Sequence, residues 1–299
     1  MSLKNRHNRI NLITKQWKLE KIHPLITRYK IDPKFFSDFK FNIKLYISKA
    51  LKIKFDSNDK IFIKNIDKAR NNRINITPNG AIVPKREFHL EYNLVLRSWC
   101  ELVDQMTKKE PKLLKLFRIT PNIRIKFGKE LSDNKNRELS TSHPHSDAWV
   151  EGPWGMNCFI PFFGDTKNNN LIYYEPISEF SENFLQTSPN YTQMQWVTNY
   201  YKPIAKINPK PGFVYISDYA SIHNTFRKKG CDTRVSIDTT LFVGNHEPHK
   251  DRKKEYRSTI PEVGLREFVD AGQYEGDIPA DKISTFSHYT SKVLKVIKF

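Results

Sequence analysis

The sequence is poor in the features that would place it in several large classes. It has 3 cysteines in 299 residues, Cys100, Cys158 and Cys231, far apart in the chain. An odd, sparse set excludes a disulfide framework of the kind that staples small secreted domains. It has only 11 glycines, with no collagen-like period and no glycine-rich linker. No run of about 18 apolar residues is present, as a membrane-spanning helix requires. The basic segment 1–18 lacks the apolar stretch of a secretory signal. Acidic residues are also in deficit, 32 Asp and Glu against 50 Lys and Arg, a net charge of +18. A reducing, cytoplasmic setting is the expectation from these absences.

Hydrophobic residues make up 38% of the chain and aromatics 13%, enough for a sizeable core. The positive charge would suit a polyanion, but the lysines are dispersed and travel with Ile and Asn, as in Lys52-Ile53-Lys54 and Asn168-Asn169-Asn170. That joint bias reads as the compositional habit of an AT-rich genome, so no specific nucleic-acid partner is expected.

Residues 1–120 read as helix and loop. Asp32-Pro33 is a helix-start signal, and Phe36, Phe39, Ile43, Ile47 and Leu51 recur behind it at helical spacing. Residues 55–85, with Pro78, Gly80 and Pro84, read as irregular. Tyr92, Val95, Leu96, Trp99, Leu102, Val103 and Met106 form one apolar stripe, a packing face ended by Pro111. From residue 121 the pattern becomes short β-rich runs, at Ile123–Phe127, Met156–Phe163, Leu171–Tyr174, Phe213–Ile216 and Arg234–Val243, parted by turn signals. The fold class expected is mainly β, a jelly-roll or barrel core over 121–245. Helices of 1–120 pack outside it, and an extension over 246–299 ends in a helix.

Three pieces of sequence bear on chemistry. In His145-Ser146-Asp147 the two outer residues lie two apart, which on a strand puts both side chains on one face. By itself such a triplet is commonplace, and Pro144 suits a surface turn equally well. His223 follows the run Phe213–Ser217; a lone histidine is ordinarily structural. Arg234 lies eleven residues beyond His223 and opens an alternating run. Arg234, Ser236, Asp238 and Thr240 share one face; Val235, Ile237, Thr239, Leu241 and Val243 share the other. With helices packed outside, the apolar face meets them and the polar face lines the mouth of the barrel.

Two histidines and one carboxylate, leaving metal positions open, make the facial triad of non-haem iron(II) oxygenases. An arginine on the following strand can grip a carboxylate with its planar fork. Order and spacing together resemble the 2-oxoglutarate/iron(II)-dependent dioxygenase superfamily, over residues 120–245. The resemblance implies a double-stranded β-helix with iron(II) on His145, Asp147 and His223. It also implies 2-oxoglutarate and O2 as co-substrates, the 5-carboxylate on Arg234 and Ser236, and ascorbate as a reductant. Hydroxylation of a small metabolite, natural product or sugar, with release of succinate and CO2, is the usual outcome. Desaturation and ring closure are variants. Halogenation is disfavoured, because halogenases of this type replace the carboxylate that Asp147 supplies.

Asn157, Trp149, Trp154, Arg124 and Tyr173 are further pocket candidates. Each has an ordinary alternative: a strand-edge amide, core aromatics, a solvated strand face. Tyr173 and Tyr174 are adjacent, so only one can face a pocket. His246-Glu247-Pro248-His249 reads as a loop rather than a second metal site. Competing functions are a cupin-like metal protein acting on sugars without a keto acid, and a nucleic-acid demethylase of the same superfamily. The first needs no arginine after the distal histidine. The second needs a basic and aromatic stripe that the sequence does not display.

Overall fold

In a computed structural model the described residues are 3–71, 75–77, 79–117, 120–128, 143–151, 155–178 and 191–243. The segment 244–299, with its expected helix and the His246–His249 pair, lies outside them, as does Trp154.

Helix α1 (Leu3–Gln16) leads into a hairpin of β1 (Glu20–His23) and β2 (Ile26–Lys30). Helix α2 (Pro33–Leu51) begins where the sequence signals it: the Asp32 carboxylate accepts from the Phe35 N–H at 2.9 Å, with Pro33 in the first turn. It buries Phe39, Ile43, Tyr46 and Ile47. Helix α3 (Asp59–Lys68) corrects the reading of 55–85 as irregular. Its start is the Asn58 side chain, which accepts from the N–H groups of Lys60 and Ile61, and its buried face is Phe62, Ile63 and Ile66. Prolines and a glycine later in that stretch masked a helix only ten residues long. Helix α4 (His89–Thr107) carries the apolar stripe and packs on α2.

Among the described residues ten strands form two antiparallel sheets. After β3 (Leu114–Phe117), β4 (Asn122–Lys126), the short α5 (Ala148–Glu151), β5 (Met156–Gly164) and β6 (Asn169–Pro176) come β7 (Tyr201–Pro203), β8 (Phe213–Asp218), β9 (His223–Arg227) and β10 (Arg234–Val243). The larger sheet runs β1-β2-β8-β5-β10-β3, with β4 also on β10; the smaller runs β7-β6-β9. Strands β1 to β3 lie where helix and loop were expected. Their four or five residues are too short to show a period, and their partners, β8 and β10, are far away in sequence.

The larger sheet has two unlike faces. Cys158, Ile160, Phe162, Val214, Ile216, Ile123, Ile125, Val235 and Ile237 join the main core with α1 to α4. The alternate residues, Asn157, Phe159, Tyr215, Ser217, Arg124, Arg234 and Ser236, point the other way. Tyr173 of β6 hydrogen-bonds the Ser217 side chain, so the smaller sheet faces this polar side. The alternation of β10 therefore divides helices from interior, as the sequence implied. Gly164 ends β5 at φ +88°; a Cβ there would lie 2.1 Å from the Thr233 carbonyl oxygen. Only glycine lets this turn close against the start of β10, opposite Arg234. Among the described residues no helix is long and apolar enough to cross a membrane.

Candidate metal centre

His145 and His223 meet through their backbones. Each N–H donates to the other's carbonyl, at 2.9 and 2.8 Å, forming an isolated bridge. Their rings lie 4.7 Å apart. Of the two geometries the sequence left open here, strand and turn, the turn is found: the chain touches β9 at one residue and then turns into α5. The cause is Ser146, which is fully buried. Its hydroxyl accepts from the Ala148 N–H at 3.1 Å and donates to the Tyr219 carbonyl at 3.2 Å, a local hydroxyl turn that wins over further pairing. The turn still delivers Asp147 beside both rings, 4.0 Å from His145 Nε2 and 3.8 Å from His223 Nε2. The ligating atoms of His145, Asp147 and His223 all lie within 4.8 Å of one another, an arrangement that can hold a metal ion.

Three further contacts fix these side chains. His145 Nδ1 lies 2.9 Å from the His143 carbonyl, and His223 Nδ1 lies 3.1 Å from the Ser221 carbonyl. A carbonyl only accepts, so both Nδ1 atoms carry the proton and both Nε2 lone pairs face Asp147. The Asn157 amide donates to Asp147 Oδ2 at 2.5 Å, holding the carboxylate's rotation. Burial, with His223 next to it, pushes His145 down to about 4, so its ring is neutral at pH 7, the state a metal needs.

The inner end of the polar interior is unlike the rest. Arg234 is 1% exposed, and its Nε and Nη1 have no hydrogen-bond partner; neither has the Oγ of Ser236, two residues on. The guanidinium lies over the Phe159 ring at 5.1 Å. Burial and the nearby Arg124 push its pKa down, the mark of a charge that lacks a counter-ion. Lys126, register partner of Arg234 across β4 and β10, is pushed down for the same reasons, burial first and then Arg124 and Arg234. Among the described residues the carboxylate that acts on this group, Asp238, is already taken: Arg124 forks onto it at 2.7 and 2.8 Å and Asn122 adds a bond at 3.1 Å. Arg124 is thus in an ion pair rather than on a solvated strand face. Buried donors without acceptors are rare in native structures. Two guanidinium nitrogens and a hydroxyl, converging in a positive interior, fit an incoming carboxylate.

Tyr173 links the two halves. Its backbone pairs with His223, its hydroxyl end reaches Ser217, and its side chain lies near Arg234; burial pushes its pKa up. It is 2% exposed while Tyr174 is half-buried, so of the adjacent pair Tyr173 is the inward one. Trp149 is fully buried in a small cluster with Met194, Val197, Tyr201 and Ile222, where it packs the 191–200 stretch against the turn carrying Asp147. Residues that sequence reasoning missed are Ser146, Ser217 and the turn from Asp218 to Ser221. A buried serine has no sequence signature, and its role appears only when the turn it closes is seen.

No family model matches the chain, and no curated protein matches it. Solved structures do. One is the non-heme alpha ketoglutarate dependent carbocyclase SnoK from nogalamycin biosynthesis, at TM-score 0.46 and 8% identity, covering 89% of this chain and 97% of that one. A second is the epimerase SnoN from nogalamycin biosynthesis, also non-heme and alpha ketoglutarate dependent, at 0.42 and 8%, covering 79% and 83%. A third is an N-substituted L-amino acid dioxygenase from Burkholderia ambifaria AMMD, at 0.40 and 11%, covering 80% and 88%. At these scores and identities the likeness carries no weight on reaction or substrate; the side chains must carry that.

Proposed function

We propose that the chain is an iron(II)- and 2-oxoglutarate-dependent oxygenase, a member of the superfamily its motif resembles, acting on a small metabolite or natural-product or sugar-type molecule. The observation that carries this is a pairing. Three neutral or anionic donors that suit iron(II) converge at one end of a polar interior, and a buried arginine without an acceptor waits at the other. The two sheets would then be the faces of a double-stranded β-helix, with the site between them.

In this reading His145, Asp147 and His223 hold the iron through Nε2, a carboxylate oxygen and Nε2. Asn157 and the two backbone carbonyls keep these ligands in register. Arg234 and Ser236 bind the far carboxylate of the keto acid, which gives the unpaired guanidinium and hydroxyl an acceptor, while Phe159 backs the guanidinium and keeps water from it. Tyr173 packs between the two ends. Bound iron with the keto acid supplies oxygen activation, converting 2-oxoglutarate and O2 to succinate and CO2 while one oxygen atom enters the substrate. Hydroxylation is the outcome expected, with ascorbate as reductant in the assay.

The test is anaerobic reconstitution with iron(II), then 2-oxoglutarate and air, following succinate, against a metabolite extract screened by mass spectrometry for a product with one added oxygen. Succinate should require iron, the keto acid and intact Asp147. A parent protein that binds no 2-oxoglutarate in the presence of metal refutes the proposal.

A further inference from the structure

Helix α1 packs against the larger sheet with two arginines turned inward. Arg6 is 0% exposed and Arg9 6%, and both approach Asp218, itself 1% exposed, at the end of β8. Arg6 Nε donates to Asp218 Oδ1 at 2.6 Å; Arg9 Nη1 lies 3.9 Å from Oδ2 and 3.4 Å from the Gly155 carbonyl oxygen. None of these three residues belongs to the metal-holding set, and their pairing spans more than 200 positions of sequence.

The carboxylate they hold organises the turn that ends at His223. Asp218 Oδ1 also accepts from the Ala220 N–H at 3.1 Å, and the Asp218 carbonyl accepts from the Ser221 N–H at 2.9 Å. Arg6 Nη2 reaches the Ser221 hydroxyl at 3.5 Å. The Ser221 carbonyl then takes the Nδ1 proton of His223 at 3.1 Å. Tyr219, in the same turn, accepts from Ser146 and so ties down the residue beside Asp147. One turn of chain thus fixes the ring of one proposed ligand and the backbone beside another, and its anchor is a buried charge.

We propose that Arg6, with Arg9, is a positioning residue for the metal centre: through Asp218 it sets the turn that orients the His223 imidazole. The inference rests on the metal-site reading above. A buried ion pair stabilises little relative to apolar packing, because desolvation offsets the attraction. Its distinctive property is geometric: it tolerates one arrangement, and a ligand's outer partners govern metal affinity. Helix α1 is therefore part of the site's scaffold and not only its cover.

The test uses the full chain with cobalt(II), which needs no oxygen and reports its ligand field. Parent, R6M, R6K and the doubly neutral R6M/D218N are compared for cobalt(II) dissociation constant, visible spectrum and hyperfine-shifted imidazole N–H resonances, with melting temperature recorded for each. R6M should raise the dissociation constant about tenfold or more, the range typical for outer partners of metal ligands. It should also alter the spectrum and move an imidazole N–H resonance. R6K, which keeps the charge but not the fork, should recover part of this. If R6M does not fold, R6M/D218N removes the Arg6–Asp218 ion pair as a unit, leaves Arg9 on the Gly155 carbonyl, and carries the same comparison with R6K. Variants that lower the melting temperature yet bind cobalt(II) with the parent's constant and spectrum overturn the proposal and leave Arg6 a structural residue. Failure of the underlying reading looks different: the parent itself would not bind cobalt(II), or His223→Ala would bind it as tightly as the parent, and the positioning role falls with it.

Discussion

Replacing Arg234 separates the proposed carboxylate site from the metal site. In the free protein its guanidinium is 1% exposed, with Nε and Nη1 unpaired beside an unpaired Ser236 hydroxyl. When a dicarboxylate enters, those donors acquire an acceptor already out of water. Truncating one partner of such a pair costs about 2–5 kcal/mol. The low end applies, because Lys126 shares the face and can supply part of the missing charge. At about 1.4 kcal/mol per tenfold, 2 kcal/mol is roughly 30-fold in affinity. Arg234→Ala should therefore weaken 2-oxoglutarate binding at least tenfold, measured by anaerobic titration of the metal-loaded protein, with the metal constant nearly unchanged. Arg234→Lys should recover it only in part, since an ammonium does not reproduce the fork. A 2-oxo monocarboxylate closes a double-mutant cycle: it should bind parent and variant almost equally, because the coupling needs both the arginine and the distal carboxylate. Since the free protein carries this charge without a counter-ion, Arg234→Met should not lower its melting temperature. Equal 2-oxoglutarate affinity in parent and Arg234→Ala, or an equal loss for the monocarboxylate, refutes the assignment.

His145→Ala, Asp147→Ala and His223→Ala should each sharply lower iron(II) affinity and abolish turnover; any variant that titrates like the parent removes its residue from the ligand set. Asn157→Leu frees Asp147 Oδ2 and should weaken metal binding about tenfold, with unchanged affinity showing that the amide only packs. Burial pushes the Asp238 carboxyl up, but Arg124, the Asn122 amide and Lys126 together outweigh it and hold the group below the ordinary carboxylate range. A depressed carboxylate stabilises above its ordinary value of about 3.9 and loses that contribution as pH falls through the folded value. Asp238→Asn should therefore flatten the acid side of a melting-temperature profile, and an unchanged slope would mean the pair contributes nothing. With dispersed lysines, nucleic acid should bind only weakly and lose affinity steeply with salt, without stimulating 2-oxoglutarate decarboxylation. Robust stimulation by methylated DNA or RNA would move the substrate class to nucleic acid and leave the metal site standing.

What could be read from the sequence divides along the range of the interactions. Helix α2 was legible because Asp32-Pro33 and a repeating apolar face are local signals. Strand β10 was legible because ten residues are long enough to show alternation. Helix α3 was not, although Asn58 caps it, because ten residues among prolines give a weak period. Strands β1 and β2 were missed because the hairpin they form is short and is held to the sheet through the pairing of β2 with β8, about 190 residues away. At the site, residue types and order were visible, but the conformation at His145 was left open between a strand and a turn, and a serine-closed turn is found. Ligand convergence does not depend on the choice, because the turn and the strand both present residues two apart to a common point. The inward arginines of α1 had no signal at all. In a chain with 50 basic residues, nothing local distinguishes an arginine that meets a buried aspartate 212 positions on from one that meets water.

The polar interior is costly for a protein with no ligand. Unpaired guanidinium nitrogens, an unpaired hydroxyl and a half-buried lysine facing the same way each oppose folding. The main core lies on the other side of the sheet, where the apolar faces of α1 to α4 are buried in one cluster with Ile160, Phe162, Val235 and Ile237. Each of these strands therefore carries both roles, alternate residues building stability outward and strain inward. In the proposed reading, that is why the N-terminal helices matter to a site whose motif begins only at His145. Helices supply the apolar burial that lets β10 keep Arg234 unpaired, and α1 supplies the charge that holds the turn before His223. In this reading α1 to α4 and the sheets act together: removing the helices would leave every residue of the motif in the chain but strip the larger sheet of the apolar burial that holds its strands.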